Sequence, residues 1–196
     1  MLNLTPFLVY VFVTTFTPGP NNIMSMSNAM HSGYRQTIKF LSGIFAGFFI
    51  VMLASGLLNS VLATQLPSFK HWLNLLGAAY MGYLAVHVLR SKPGKDQAGQ
   101  ENLNSFKAGF LMQFLNIKVI LYGITVFSLF IINAYPEPAM IAAFSLVLAA
   151  VGFIATSCWA LGGNTFRNLL LKYERIFNIT MAALLVYTAV SSLLIG

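Results

Sequence analysis

The sequence has little charge. Only 8% of its 196 residues are Asp, Glu, Lys or Arg, whereas an average soluble domain has about 25%. Hydrophobic residues make up 58% of the chain, and the mean hydropathy is +0.77. This balance leaves little room for a soluble domain, so we predict that residues 1–196 form a single integral-membrane domain.

Carboxylates and cysteines are also scarce. The four carboxylates, Asp96, Glu101, Glu137 and Glu174, all fall outside the long apolar stretches, so none is placed to carry protons or bind sodium at the membrane midplane. The single cysteine, Cys158, excludes an intrachain disulfide and is predicted to pack inertly. No metal-ligand or nucleophile motif is present, so we predict a protein that is not an enzyme, with no catalytic residue, metal or cofactor.

What the sequence does contain is a series of long apolar stretches. Each is within or slightly beyond the roughly 17–25 residues that a membrane-crossing helix needs. The stretches are residues 4–28, 38–62, 72–89, 106–132, 139–161 and 176–195. The predicted fold is therefore all-α, a polytopic membrane protein with six transmembrane helices.

Basic residues indicate how these spans are oriented. They concentrate in the connections after the first, third and fifth spans, whereas the connections after the second and fourth carry only Lys70. The positive-inside rule then places both termini outside the cytoplasm. Basic loops facing an anionic leaflet account for the pI near 9.7, so membrane lipid is the predicted partner and nucleic acid is not.

The longest polar stretch, residues 91–104, divides the chain into halves of three spans each, 4–90 and 106–195. Three crossings invert the second half relative to the first. This is the topology of inverted-repeat transporters, whose substrate sites lie near the midplane and are built from interrupted helices. We predict such a 3+3 repeat with a cytoplasmic linker, although the two halves share little sequence.

A break is predicted in the first span. Pro18 and Pro20 have no N–H group, so the carbonyls of Thr14 and Phe16 lose their helical donors. Freed backbone persists at membrane depth only where it is buried in protein or lines a cavity. The first turn of a new half-helix at Pro20 would present unpaired N–H groups to a carboxylate. The predicted substrate-binding residues here are Thr17, Pro18, Gly19, Pro20, Asn21 and Asn22.

The fourth span contains Lys118, which lies about twelve residues from its start and so roughly 18 Å deep at about 1.5 Å per residue. Such a lysine requires a hydrated or hydrogen-bonded partner. Either it binds the substrate carboxylate, or it is a structural lysine bonded to freed carbonyls of another helix. Asn116 can face the same cavity only if the helix unwinds between the two residues. Asn116 and Lys118 are both predicted substrate-binding residues.

Three further features each have a functional and a structural interpretation. Tyr80, Tyr83 and His87 form a polar stripe on the third span, which either lines the pathway, with Tyr80 as a substrate contact, or bonds to another helix. The glycines of the 43–47 segment permit close packing, within the chain or in a dimer. Trp159 is predicted to anchor the fifth span at the inner interface.

The segment Thr17-Pro18-Gly19-Pro20-Asn21 and the Asn-x-Lys motif at Asn116 and Lys118 resemble the paired motifs of the LysE/RhtB family of amino-acid exporters. The similarity runs from the first span to the last. Residues 113–123 and 184–187 resemble the branch that exports cysteine and O-acetylserine. The usual Asn-Pro-Lys reads Asn116-Ile117-Lys118 here, which leaves open whether the fourth span is broken.

The resemblance implies a secondary transporter, a homodimer in a bacterial inner membrane, that exports small neutral amino acids from the cytoplasm by alternating access. The freed carbonyls and the amides of Asn21, Asn22 and Asn116 are expected to accept the substrate ammonium. Because no fixed anion lies opposite, the site should favour a zwitterion over lysine or arginine. The alternative is a passive channel or a non-transporting membrane subunit.

Overall fold

The computed structural model describes residues 2–65 and 104–195, together with Leu75, Ala79, Gly82, Tyr83, Ala85, Val86 and Leu89 between them. Throughout this part of the chain the regular structure is helical, as the sequence predicts. Most of the predicted third span and of the linker 91–104 lies outside the described residues. The predicted substrate contact Tyr80 and His87 of the polar stripe lie outside them too.

The helices in the described ranges are α1 (Leu4–Phe16), α2 (Pro20–Ser32), α3 (Tyr34–Gln65), α4 (Phe106–Leu115), α5 (Ile117–Val126) and α6 (Pro138–Ile195). A short π-helix, Phe127–Ile131, follows α5. Within α6 the backbone is not helical at Gly163 (φ 39°, ψ −125°) or at Tyr173 (φ −117°, ψ 22°). Gly163 tolerates its positive φ because it has no Cβ, and the predicted fifth span ends just before it.

By length and composition, the segments Tyr34–Val61 and Pro138–Gly163 can each cross a membrane. They match the predicted second and fifth spans. The segments Phe106–Leu115 and Ile117–Ile131 together form a third candidate span that is bent by 64°. α1 is apolar but has only 13 residues, which is short of a complete crossing.

The outer surface of the helices is strongly apolar. Leu8, Phe12, Leu58 and Ile154 are each more than half exposed. Soluble monomers rarely expose such apolar surface in large contiguous patches, whereas lipid tails are a favourable environment for it. Cys158 is exposed on its helix.

Glycines bring α3 and α4 into close contact. A Cβ at Gly43 would overlap the carbonyl of Phe106, and a Cβ at Gly109 would overlap the carbonyl of Phe40. Backbone therefore packs on backbone across this pair, as small residues allow in membrane helices. The glycine spacing at 43–47 serves packing within the chain, and it holds α4 firmly against α3.

Aromatic rings fill the part of the interior beside α1. The ring centroids of Tyr10 and Tyr122 are 5.5 Å apart, those of Tyr10 and Phe130 are 5.7 Å apart, and those of Phe7 and Phe130 are 5.9 Å apart. Each such pair contributes about 0.5–1.5 kcal/mol beyond its buried area. This aromatic cluster joins α1 to α5 and to the π-helix that follows it.

Candidate substrate site at two helix breaks

The first span is broken where the sequence predicts. α1 ends at Phe16 and α2 begins at Pro20, while Gly19 between them has an extended backbone (φ −173°, ψ 173°). Ile23 N–H donates to Gly19 O at 2.9 Å. The N–H groups of Asn21 and Asn22 come before this bond, in the turn where a helix has no internal acceptors. The N terminus of α2 is thus a set of N–H donors at the positive end of a helix dipole.

The chain itself supplies donors to the carbonyls that the prolines free. Thr17 Oγ1 donates to Thr14 O at 3.1 Å, and Trp159 Nε1 donates to Phe16 O at 3.1 Å. Trp159 is only 1% exposed, so its predicted role as an interfacial anchor is wrong. Instead, its indole N–H, on α6, donates to the last carbonyl of α1.

The Asn22 side chain holds the two sides of the break together. Its Nδ2 donates to Thr15 O at 2.9 Å and to Thr17 O at 2.8 Å. An amide from the first turn of α2 thereby satisfies the last carbonyls of α1, and the side chain is only 4% exposed. These two hydrogen bonds use the side-chain nitrogen of Asn22, so its side-chain oxygen can still accept a hydrogen bond.

The fourth span is broken at Asn116, although it has no proline there. Asn116 has φ −85° and ψ 95°, outside the helical region, and its Oδ1 accepts a hydrogen bond from the Lys118 backbone N–H at 3.1 Å. This is N-cap geometry, in which the side chain replaces the missing helical acceptor. Asn116 thus ends α4 and starts α5, and the local unwinding needed to bring Asn116 and Lys118 to one site is present.

A network of amides connects the two breaks. Asn21 Nδ2 donates to Gln113 Oε1 at 2.8 Å, while Asn21 Oδ1 accepts from Gln113 Nε2 at 3.2 Å and from Asn116 Nδ2 at 3.0 Å. Gln113 is fully buried and was not among the predicted site residues. The signal that could have found it is a lone glutamine in an apolar helix, three residues before Asn116.

Lys118 reaches from α5 to the end of α1. Its Nζ donates to Thr17 Oγ1 at 3.0 Å and to Thr17 O at 3.2 Å, and it lies 3.5 Å from Pro18 O. The side chain passes over Gly19, where a Cβ would lie 3.0 Å from Nζ and 3.1 Å from Cδ. Lys118 is therefore bonded to freed backbone, and it also lines the cavity described next.

A cavity of about 40 Å³ lies between the breaks. Because one water needs roughly 10–15 Å³ on this measure, the cavity holds a few waters in this conformation. Of the predicted site residues, Thr17 and Pro18 contact Lys118 instead of the cavity wall. Those that line the cavity are Gly19, Pro20, Asn21, Asn22, Asn116 and Lys118.

Hydroxyl groups that the sequence analysis did not select complete the wall. Thr14, Thr15, Tyr122 and Thr156 line the cavity. Thr14 Oγ1 is buried and, within the described part of the chain, makes no hydrogen bond. The Tyr122 hydroxyl faces Thr15 but also lacks a hydrogen bond of good geometry there. Buried polar groups normally have partners, so these hydroxyls are available to a bound polar molecule.

The cavity thus combines an ammonium group, a helix N terminus and hydroxyl oxygens, with apolar contacts from Ile44, Phe48 and Val119. These groups can hold a small polar molecule in one orientation. Such a mostly apolar pocket with a few convergent polar groups is the usual form of a small-molecule site.

Comparison with known proteins gives the family. The model of the LysE type translocator family matches residues 12–195. The chain is 41% identical over 187 residues to the cysteine/O-acetylserine efflux protein of Escherichia coli (strain K12), covering 95% of each protein. It is equally similar to proteins of the same name from Shigella sonnei (strain Ss046) and Shigella flexneri. No solved structure matches the chain. The chain therefore belongs to the LysE type translocator family, and it is an efflux transporter rather than an enzyme.

Proposed function

We propose that this protein is a secondary transporter that exports small neutral amino acids from the cytoplasm, with cysteine and O-acetylserine as the first candidates. The substrates come from the names of the relatives. The observation that carries the proposal is the meeting of two broken helices at a cavity that Lys118 lines. Broken helices are retained at membrane depth where they line a substrate site.

The substrate carboxylate binds at the start of α2. The N–H groups of Asn21 and Asn22 are available there, and Gly19, which has no side chain, leaves room for the Lys118 side chain beside them. Lys118 Nζ lies beside Gly19, so its positive charge adds to the helix dipole. A carboxylate in this position replaces water at donors that are already in place.

The substrate ammonium binds on the opposite side of the cavity. The hydroxyl oxygens of Thr14 and Tyr122 are buried and have no hydrogen-bond partner among the described residues, and Asn22 lines the same cavity. No carboxylate lines the cavity within the described part of the chain. A second positive charge, as in lysine or arginine, would therefore be buried without a partner, which is costly.

The sequence-based predictions of topology, location, assembly and further site residues are part of the same proposal. The chain is a single domain with six spans, halves 4–90 and 106–195, and a cytoplasmic linker 91–104. It lies in a bacterial inner membrane with both termini periplasmic, as a homodimer. Tyr80 belongs to the substrate site, and Thr17 and Pro18 act in it through Lys118, whose ammonium group their oxygens contact. The positions of the breaks support the 3+3 repeat, because they fall in the first span of each half.

Transport proceeds by alternating access. A cavity of about 40 Å³ has room for a few waters but must widen to admit an amino acid. The aromatic cluster of Phe7, Tyr10, Tyr122 and Phe130 closes the side toward the start of α1. Export then requires this cluster to part while the opposite side closes.

Counterflow in proteoliposomes tests the function. Vesicles loaded with unlabelled L-cysteine or O-acetyl-L-serine should accumulate the labelled L-amino acid transiently, with saturation and with little response to the D-isomer. A passive channel gives neither saturation nor counterflow, and a non-transporting subunit gives no flux. Lys118→Gln should weaken substrate binding, whereas Lys107→Gln on the exposed start of α4 should not. Unsaturable flux through the wild type would contradict the proposal.

A further inference from the structure

We propose that the C-terminal end of α1 is a site for one monovalent cation, and that the ammonium group of Lys118 permanently fills it. An inorganic coupling cation therefore has no place there in the natural protein. Only the conclusion about the coupling ion rests on the proposed transport function. The site itself follows from the contacts of Lys118.

The oxygens at this site are arranged as for a small cation. Thr17 O, Thr17 Oγ1 and Pro18 O lie 3.2, 3.0 and 3.5 Å from Lys118 Nζ. They stand at the end of α1, where the helix dipole adds partial negative charge. In transporters with interrupted helices, such half-helix C termini and unwound carbonyls are the groups that coordinate sodium or protons. Here an ammonium group occupies the corresponding position.

The location of Lys118 in its own helix supports this assignment. Lys118 is in the first turn of α5, two residues after the N-cap Asn116. A positive charge is unfavourable at that end of a helix, so α5 by itself gives no reason for a lysine there. The reason lies in α1, whose terminal oxygens accept hydrogen bonds from the ammonium group. Thr17 and Lys118 are 101 residues apart in the sequence.

A neutral side chain at this position should uncover the cation site. With Lys118→Met, the oxygens of Thr17 and Pro18 lose the ammonium group, and among the described residues Thr17 O keeps only its hydrogen bond from Asn22 Nδ2. A small inorganic or organic cation can then replace the lost positive charge. The natural protein should show no such requirement.

Thermal stability of the purified full chain in detergent tests the inference. Wild type, Lys118→Met and Lys118→Gln are compared in chloride salts of sodium, potassium and methylammonium at equal ionic strength, with N-methylglucamine as the bulky reference. At about ten times its Kd, a cation that binds the folded state should raise the Tm of Lys118→Met by roughly 3–6 °C over the reference. Wild type and the matched control Lys107→Met should respond equally to all salts.

Lys118→Gln separates charge from hydrogen bonding. Its amide still donates to the Thr17 oxygens but carries no charge, so a cation-specific Tm shift should persist and be smaller. Adding Thr17→Val to Lys118→Met removes one oxygen and should reduce the shift. Equal behaviour of both variants in all salts would overturn the inference, as would failure of both variants to fold in every salt. Because the readout needs no substrate, failure of the export assay leaves it unaffected.

Discussion

Single residues at the two breaks set the charge distribution of the site. Among the described residues that line the cavity, Lys118 provides the one ammonium group, and Gly19 provides the space through which that side chain passes. Asn116 and Asn22 use their amides to replace lost helical partners at the second and first break. The chemistry of the site therefore depends on residues whose side chains also complete the backbone.

Gly19→Ala tests the space above the first break. The new Cβ would lie 3.0 Å from Lys118 Nζ, so the side chain must move by a few tenths of an ångström and its bonds to Thr17 weaken. Substrate affinity should fall about threefold to tenfold, which is roughly 0.6–1.4 kcal/mol, with normal abundance in the membrane. Gly82→Ala is the matched control because, among the described residues, no atom lies within 4 Å of its Cβ position. An unchanged affinity in Gly19→Ala would show that substrate binding does not depend on how the Lys118 side chain passes over Gly19.

Gln113→Leu tests the amide network between the breaks. The change leaves the Asn21 amide nitrogen without its acceptor at 2.8 Å, and an unpaired buried polar group costs about 1–3 kcal/mol. We expect a lower Tm together with weaker substrate binding, measured on the purified protein. Asn59→Leu removes another buried amide, one that bonds to Ser55 O away from the breaks, and should lower only the Tm. Equal effects of both variants on substrate binding would contradict a specific role for Gln113.

At the scale of elements, each broken helix depends on a neighbour. The end of α1 is bonded by the Trp159 indole of α6 and by Lys118 of α5, and α4 is held against α3 by glycine contacts. The breaks are thus fixed between packed helices, so the cavity between them has a defined shape. A change in either helix junction should alter transport by changing the shape of the cavity.

Replacing Pro18, Gly19 and Pro20 together with alanine tests the first break. The alanines restore the N–H donors and allow α1 and α2 to join as one helix. The carbonyls of α1 then bond within that helix, and Lys118 loses its acceptors. Membrane insertion and abundance, measured by immunoblot, should stay close to wild type, while substrate efflux should vanish. Normal efflux from a well-inserted variant would show that the break has only a structural role.

Gly109→Ala tests the contact between α3 and α4. Its Cβ would overlap the Phe40 carbonyl, and because backbone cannot move aside as a side chain can, the helices must separate. We expect a destabilisation of about 1–3 kcal/mol and a clear loss of Tm. Gly152→Ala is the control, since its Cβ would meet Phe48 at an ordinary 3.8 Å. A Tm equal to that of the control would mean that the pair tolerates a wider spacing.

In the described part of the chain, apolar side chains form both the core and much of the surface, and polar side chains are buried among them. Apolar side chains such as Leu58 and Ile154 face outward, whereas Thr17, Ser25 and Gln113 are completely buried. With lipid outside, hydrogen bonds to protein are the available partners for these inner polar groups. The buried polar groups near the two breaks therefore lie in the interior of the described part of the chain.

The topology prediction concerns the chain as a whole. Reporter fusions after Gly196 and within residues 135–138 should read periplasmic, and a fusion within 91–104 should read cytoplasmic, because basic residues cluster in the connections after the first, third and fifth spans. Alkaline phosphatase and green fluorescent protein fusions at each position give complementary signals. A cytoplasmic C terminus would remove one span or invert the arrangement.

The sequence by itself determined the features that depend on local chemistry. A proline lacks its N–H group wherever it occurs, so the break between Phe16 and Pro20 was predictable, as were the apolar segments Tyr34–Val61 and Pro138–Gly163. The motif of the first break also indicated the family correctly. These features need only neighbouring residues to define them.

Only the tertiary structure decided which groups meet. The break at Asn116 lacks a proline and depends on an N-cap bond, which a sequence pattern with isoleucine at position 117 does not specify. The partners of the freed oxygens lie far away in the chain, with Lys118 at 101 residues from Thr17 and Trp159 at 143 residues from Phe16. Periodicity assigns residues to helix faces but does not say which face meets which. That choice is made by packing, through the glycine contacts of α3 and α4 and the burial of Trp159.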